Sequence, residues 1–111
     1  MTAFAGWYVR ASITRWVDDY QPGIVECRFT DRFGREWTLI EKLPVVTDAN
    51  LWPDSQFPQP AFIACEVISK GQDQAGRETA EINTEKPWGI EALDGTTSFP
   101  VFANQLTKLV D

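Results

Sequence analysis

The sequence contains no histidine, and this absence excludes several kinds of chemistry together. Histidine is the commonest metal ligand, the most frequent general base near neutral pH, and the usual activating partner of a nucleophilic serine or cysteine. Familiar catalytic triads and zinc sites built from histidine and cysteine are therefore excluded. The glycine-rich patterns GxGxxG and GxxxxGK are also missing, so a nucleotide cofactor has no support. We expect no cofactor, no metal ion and no catalytic residue.

Cysteine is scarce as well, because the chain has only Cys27 and Cys65, each inside an apolar run. Two cysteines are too few for the disulfide framework of a small secreted domain, and their surroundings predict buried, reduced thiols. The first residues lack the basic and apolar segments of a signal peptide, and no apolar run reaches membrane-spanning length. We expect a cytoplasmic protein without a membrane partner.

Basic residues are the minority, since 10 lysines and arginines stand against 16 aspartates and glutamates, for a net charge of -6. Nucleic-acid binding depends on clustered basic residues, so nucleic acid is disfavoured as a partner. An acidic domain attracts cationic partners, a category that includes many nucleic-acid-degrading toxins. With 111 residues, of which 43% are hydrophobic, the chain is expected to form one domain over residues 1–111.

Segments rich in β-branched and aromatic residues alternate with turn residues, which predicts an all-β fold. Short strands at this spacing are typical of a single antiparallel barrel or sandwich, here of six to seven strands. The dipeptide Asp94-Gly95 predicts a type I′ hairpin turn. The predicted strands cover residues 7–17, 24–30, 36–42, 62–69, 78–84, 90–93 and 96–102.

The C-terminal stretch has a different pattern. Leu106, Leu109 and Val110 recur at helical spacing, and Asn104 precedes them as a candidate helix cap. We therefore expect one short helix at this end of the chain.

Two parts of the chain resemble each other. Residues 22–27 are similar to residues 60–65, and each segment is followed by an Asp-x-x-Gly-Arg-Glu sequence, beginning at Asp31 and at Asp73. Aspartate caps such a turn and glycine supplies its left-handed residue, so two similar hairpins are predicted. Turn chemistry alone accounts for the repetition, and duplication of an ancestral hairpin is the alternative.

The long connection at residues 43–59, which we call the flap, is rich in proline and aromatic residues. Loops of this length are either functional or disordered, and the aromatics argue against disorder. One helical turn is predicted at residues 47–51. Trp52 and Phe57 in the flap, and Trp88 in a later loop, each lie beside a proline and either cap the barrel or form a recognition surface. We expect the flap to carry recognition, because loops on a rigid scaffold usually do.

Arg15 and Glu41 lie at strand positions that alternation assigns to the buried face, whereas Trp16 falls on the outward face. A buried charge must find a partner or line a cavity. The two residues therefore form structural pairs at the end of the barrel, with each other or with other groups, or they supply polar contacts inside a ligand cavity.

Several segments resemble small uncharacterised bacterial β-barrel proteins. The similar segments are residues 21–26, 31–35, 58–60 and 77–91, and the resemblance extends over the chain from Ala11 onward. It implies a barrel fold and brings no activity, substrate or catalytic residue with it.

These observations favour a non-enzymatic binding module for a protein partner, of which toxin-neutralising immunity proteins are one class. The alternative is a small-molecule-binding barrel, or a barrel enzyme, with a pocket under the flap. The candidate binding residues are Trp52, Phe57, Trp88, Arg15 and Glu41.

Overall fold

A computed structural model describes residues 6–108, which form an all-β structure of antiparallel strands and confirm the predicted fold class. One short helix, α1 (Leu43–Val46), and one 3-10 turn (Ala103–Gln105) interrupt the strands. No helix within this range is long and apolar enough to cross a membrane. The strands are β1 (Trp7–Asp18), β2 (Ile24–Thr30), β3 (Glu36–Lys42), β4 (Gln59–Gln72), β5 (Glu78–Asn83), β6 (Ser98–Phe102) and β7 (Leu106–Lys108).

The strands form one curled half-barrel in the order β3-β2-β1-β4-β5-β6, with β7 beside the first residues of β1. Strand β4 produces most of the curl, because its first half pairs with β1 and its second half pairs with β5. Strand β1 also changes partners, from β7 at its start to β2 over its second half. The two long strands β1 and β4, which each change partners along their length, thus bend the sheet around a single core.

The core lies on the concave face, where β6 packs across β2 and β3. The ring of Phe99 meets Phe29 and Trp37 edge to face, with centroids 5.2 and 4.9 Å apart. Such aromatic pairs stabilise a core beyond the area they bury. Most fully buried apolar residues of the strands lie on the faces that alternation predicts, whereas Tyr8 and its partner Ala64 are fully buried on the other face. The residues that match the alternation are Val9, Ile13, Val25, Cys27, Leu39, Ile63, Ile82, Phe99 and Val101.

The gap between β3 and β6 is closed by the loop at residues 84–97, not by a strand. The predicted strand at residues 90–93 is wrong, although Ile90 and Ala92 in this segment are buried in the core. The Leu93 N–H donates to the Thr38 carbonyl at 3.0 Å, which is a single bond and not a ladder. The segment turns back at its glycine immediately afterwards, so it has no length over which to pair.

The predicted C-terminal helix is wrong at Leu106, which begins β7. The side chain of Gln105 fixes the path of the chain just before Leu106. Its oxygen accepts the Phe102 N–H, and its amide N–H donates to the Thr30 carbonyl. Extended pairing with β1 follows because β2 leaves the first residues of β1 free on that side. Leu109 and Val110 lie outside the described residues.

The two repeated hairpin turns have the same geometry. The Asp31 and Asp73 carboxylates each accept two backbone N–H groups of their own turn, and Gly34 and Gly76 have φ of 84° and 81°. The turn at Gly95 is closed in the same way, with a positive φ at the glycine alone. A type I′ turn needs two positive φ angles, so the type I′ prediction is wrong.

The thiols of Cys27 and Cys65 are buried, and burial raises the pKa of each from the usual 9.0 to about 12. The two cysteines pair with different positions of β1: Cys27 lies opposite Ile13, and Cys65 lies opposite Trp7. These two positions are about 20 Å apart along β1 at the usual rise per residue of a strand. They therefore cannot form a disulfide with each other.

We predict that neither thiol reacts with a maleimide in the native protein at pH 8, whereas both react at once in denaturant. Because the unfolded thiols ionise near pH 9 and the folded ones near pH 12, unfolding should become easier as pH rises above 9. Thiol titration with and without denaturant measures the first effect. Rapid labelling of either residue in the native state would contradict their burial.

Candidate functional site

A β-bulge reverses the predicted orientations of Arg15 and Trp16. Pairing between β1 and β2 shifts register between Ile13 and Arg15, so Thr14 is an extra residue in β1. One extra residue exchanges the two faces of a strand. The Arg15 side chain is consequently 59% exposed, and Trp16 packs partly buried against the core. The predictions that Arg15 points inward and Trp16 outward are both wrong.

Arg15 belongs to a polar network on the convex face, centred on Glu26. The Glu26 carboxylate accepts hydrogen bonds from Thr14 Oγ1 at 2.6 Å, from Arg15 Nε at 3.1 Å and from Arg28 Nε at 3.1 Å. The Thr14 bond, with the two guanidinium charges, holds the pKa of Glu26 below its usual value. The sequence did not single out Glu26 as a partner, because the bulge that brings Arg15 beside it is not visible in the residue pattern.

Glu41 does lie toward the inner face, at the end of β3, and is half-buried. Burial is the main cause of a raised pKa at this carboxyl; the nearby charge of Glu91 adds to it, while Lys42 opposes it. Arg15 is on the other face, so the proposed pairing of Arg15 with Glu41 does not occur. Glu41 instead marks one end of the half-barrel, next to the loop that carries Glu91.

The flap crosses that same end from β3 to β4. It begins with α1, where Pro44 suits the first helical turn because its missing N–H needs no partner there. Leu43, Val46 and Leu51 are buried in the common core, and Phe57 packs partly buried against it. The helical turn predicted at residues 47–51 is wrong, since the helix lies at the start of the flap. The flap is therefore anchored at several points by apolar side chains.

Trp52 is the large apolar side chain of this anchored loop that stays exposed. Its side chain is 66% exposed, although Leu51 immediately before it is buried. A tight turn holds its backbone, because the Trp52 N–H donates to Ser55 Oγ at 2.9 Å and its carbonyl accepts the Ser55 N–H at 3.0 Å. The two candidate residues of the flap therefore differ. The Phe57 side chain packs against the core, and the Trp52 side chain is exposed to solvent.

Trp88 lies in the loop after β5 and is 38% exposed. Its loop turns tightly, with the Gly89 N–H donating to the Glu85 carbonyl at 2.6 Å. The β1–β2 turn, the flap and the part of this loop around Glu91, whose charge acts on Glu41, lie at one end of the strands, which we call the acidic end. Its exposed charged residues are mostly acidic, with Lys42 and Lys86 among Asp18, Asp19, Asp48, Asp54, Glu85 and Glu91.

An open groove of about 630 Å³ lies on the convex face, and Pro58, near the end of the flap, forms part of its wall. Arg10 and Arg28 line it, and the Arg10 guanidinium also donates to the carbonyls of Asn104 and Leu106. Within residues 6–108 no cluster of acidic and cysteine side chains is arranged to hold a metal ion. The five candidate residues are therefore not one site: Trp52, Trp88 and Glu41 share an end, while Arg15 and Phe57 have structural contacts.

Comparison of the chain with protein families, curated proteins and solved structures finds no match.

Proposed function

We propose that this protein is a non-enzymatic binding module that uses Trp52 and the acidic end to recognise a cationic protein. The observation that carries the proposal is the contrast inside the flap between Trp52 and its neighbours. A rigid, anchored loop that leaves a tryptophan 66% exposed gains little folding energy from that side chain. Tryptophan in such a position is typical of the few residues that dominate the energy of an interface.

The flap around Trp52 is held in place by its own contacts. Binding costs free energy whenever a loop or side chain must be ordered. Here the backbone of Trp52 is fixed by two hydrogen bonds to Ser55, and Leu51 and Phe57 fix the loop on either side. A partner would therefore meet a surface that needs little reorganisation.

Charge indicates the kind of partner. The net charge of -6 attracts cations over long distances, and the acidic residues around the flap would direct them to Trp52. Steering of this kind accelerates association and suppresses binding to acidic proteins. A cationic toxin bound by its immunity protein is one relationship of this type, and we propose it as the leading class.

We predict that Trp52→Ala weakens capture of the partner from native-host extract about 30-fold or more, as expected for a central interface tryptophan. The matched control is Phe33→Ala, because Phe33 is 71% exposed but lies in the β2–β3 turn, at the opposite end of the molecule. Quantitative affinity capture with the three proteins provides the comparison. Raising the salt concentration from 0.1 to 1 M should also slow association, because the electrostatic screening length falls from about 10 Å to about 3 Å.

Equal capture by wild type and Trp52→Ala would reject the proposal. So would a captured protein that is itself acidic, or an association rate that does not respond to salt.

A further inference from the structure

Strand β1 has an unpaired edge beside the flap. Its pairing with β4 runs from Trp7 opposite Cys65 to Ile13 opposite Gln59, where β4 begins. Pro58 precedes Gln59 and has no N–H, so it cannot continue the ladder. Residues 14–18 of β1 therefore extend past β4 with a partner on the β2 side alone.

The backbone groups on this edge have no other backbone partner in the described part of the chain. The hydrogen bonds that join loops and turns include none from residues 14–18 to the flap. In an antiparallel ladder every second residue directs its N–H and carbonyl to a given side, so part of this segment faces away from β2. Arg15 and Val17 on the segment are exposed, at 59% and 38%, so the edge is within reach of solvent.

We propose that this edge binds an extended, cationic segment of the partner as an added antiparallel strand. The inference deepens the proposed function and rests on it, because the edge ends at the acidic end that carries Trp52. Strand addition supplies affinity through main-chain hydrogen bonds and specificity through alternate side chains. The edge would therefore fix the direction and register of the bound segment, which a single exposed tryptophan cannot do.

Charge and twist together select this occupant over a second copy of the chain. Asp18 is the last residue of the edge and Asp19 follows it, and both would attract lysine or arginine on an incoming strand. The bulges at Thr14 and Val17 also twist the edge, a device that discourages pairing between identical strands.

The test uses the wild-type protein and a capped peptide of alternating lysine and valine. Two control peptides carry the same side chains and charge, one N-methylated at every lysine and the other at every valine. An added strand bonds through every second residue, so one methylated peptide should bind like the parent and the other should lose about tenfold or more in affinity. Amide exchange by NMR should show some amides of residues 14–18 exchanging fast in the free protein and slowly with the peptide.

Equal affinities for both methylated peptides, or no binding of the parent peptide, would overturn the inference. Slow exchange along the whole segment in the free protein would also overturn it. If the parent peptide binds and Trp52→Ala weakens it while the edge amides stay unprotected, the edge is wrong and the proposed function stands. Protection that grows with protein concentration alone would identify a second copy as the occupant and reject the cationic strand.

Discussion

Replacing Asp31 with alanine is expected to lower the free energy of unfolding by about 3–5 kcal/mol. The buried carboxylate accepts the backbone N–H groups of Phe33 and Arg35 and the indole N–H of Trp37, the last at 2.9 Å. Each backbone bond contributes about 1 kcal/mol net, and a buried indole N–H left without an acceptor costs about 1–3 kcal/mol more. Equilibrium denaturation in urea would measure the loss.

The second hairpin supplies the matched control, because Asp73 occupies the same position in the repeated turn. Its carboxylate accepts the N–H groups of Ala75 and Arg77, but no indole. The turn is exposed and water can replace the lost acceptor, so Asp73→Ala should cost only about 1 kcal/mol. Equal losses for the two variants would show that the bond from Trp37 to Asp31 does not contribute as described.

Glu26→Ala is expected to destabilise the protein by about 2 kcal/mol at neutral pH. It removes the acceptor for Thr14, Arg15 and Arg28 and leaves two guanidinium groups without their shared carboxylate. Both arginines are partly exposed, so water limits the cost. Glu36→Ala is the control, because Glu36 also pairs with Arg28 at 3.0 Å but is exposed, and its loss should cost less than about 0.5 kcal/mol.

The pH dependence of Glu26→Ala follows from the lowered pKa of the carboxyl. A carboxyl with a lowered folded pKa contributes stability above its unfolded pKa, near 4.5, and the contribution disappears as pH falls through the folded value. The difference in the free energy of unfolding between wild type and Glu26→Ala should therefore become smaller as the pH falls below about 4.5. A stability difference that stays constant between pH 7 and pH 3 would show that the charge of Glu26 does not contribute to stability.

The strands were predictable because local chemistry agrees with the fold along most of the chain. The limits of β2 and β3 are the predicted ones, since turn residues stand on both sides and one face of each strand is apolar. The repeated Asp-x-x-Gly turns were predictable for the same reason, as their hydrogen bonds lie within a few residues.

The errors arose where distant contacts decide the structure. The bulge at Thr14 exists in the pairing of β1 with β2, so alternation within β1 could not place Arg15 and Trp16. Leu106 has helical spacing with later residues, yet the free edge of β1 draws it into β7.

The candidate site was predicted in part. The composition of the flap pointed to Trp52 and Phe57 together, but only packing separates the exposed residue from the anchored one. The unpaired edge of β1 could not be found at all from the sequence, because it depends on where β4 begins to pair.

The free energy of unfolding of Trp52→Ala in urea shows whether Trp52 is exposed for recognition or contributes to folding. We predict a change within about 0.5 kcal/mol of wild type, as for an ordinary surface substitution, whereas Phe57→Ala should cost clearly more because Phe57 packs against the core. A loss of about 3–5 kcal/mol for Trp52→Ala, the usual cost of truncating a buried aromatic residue, would contradict the claim.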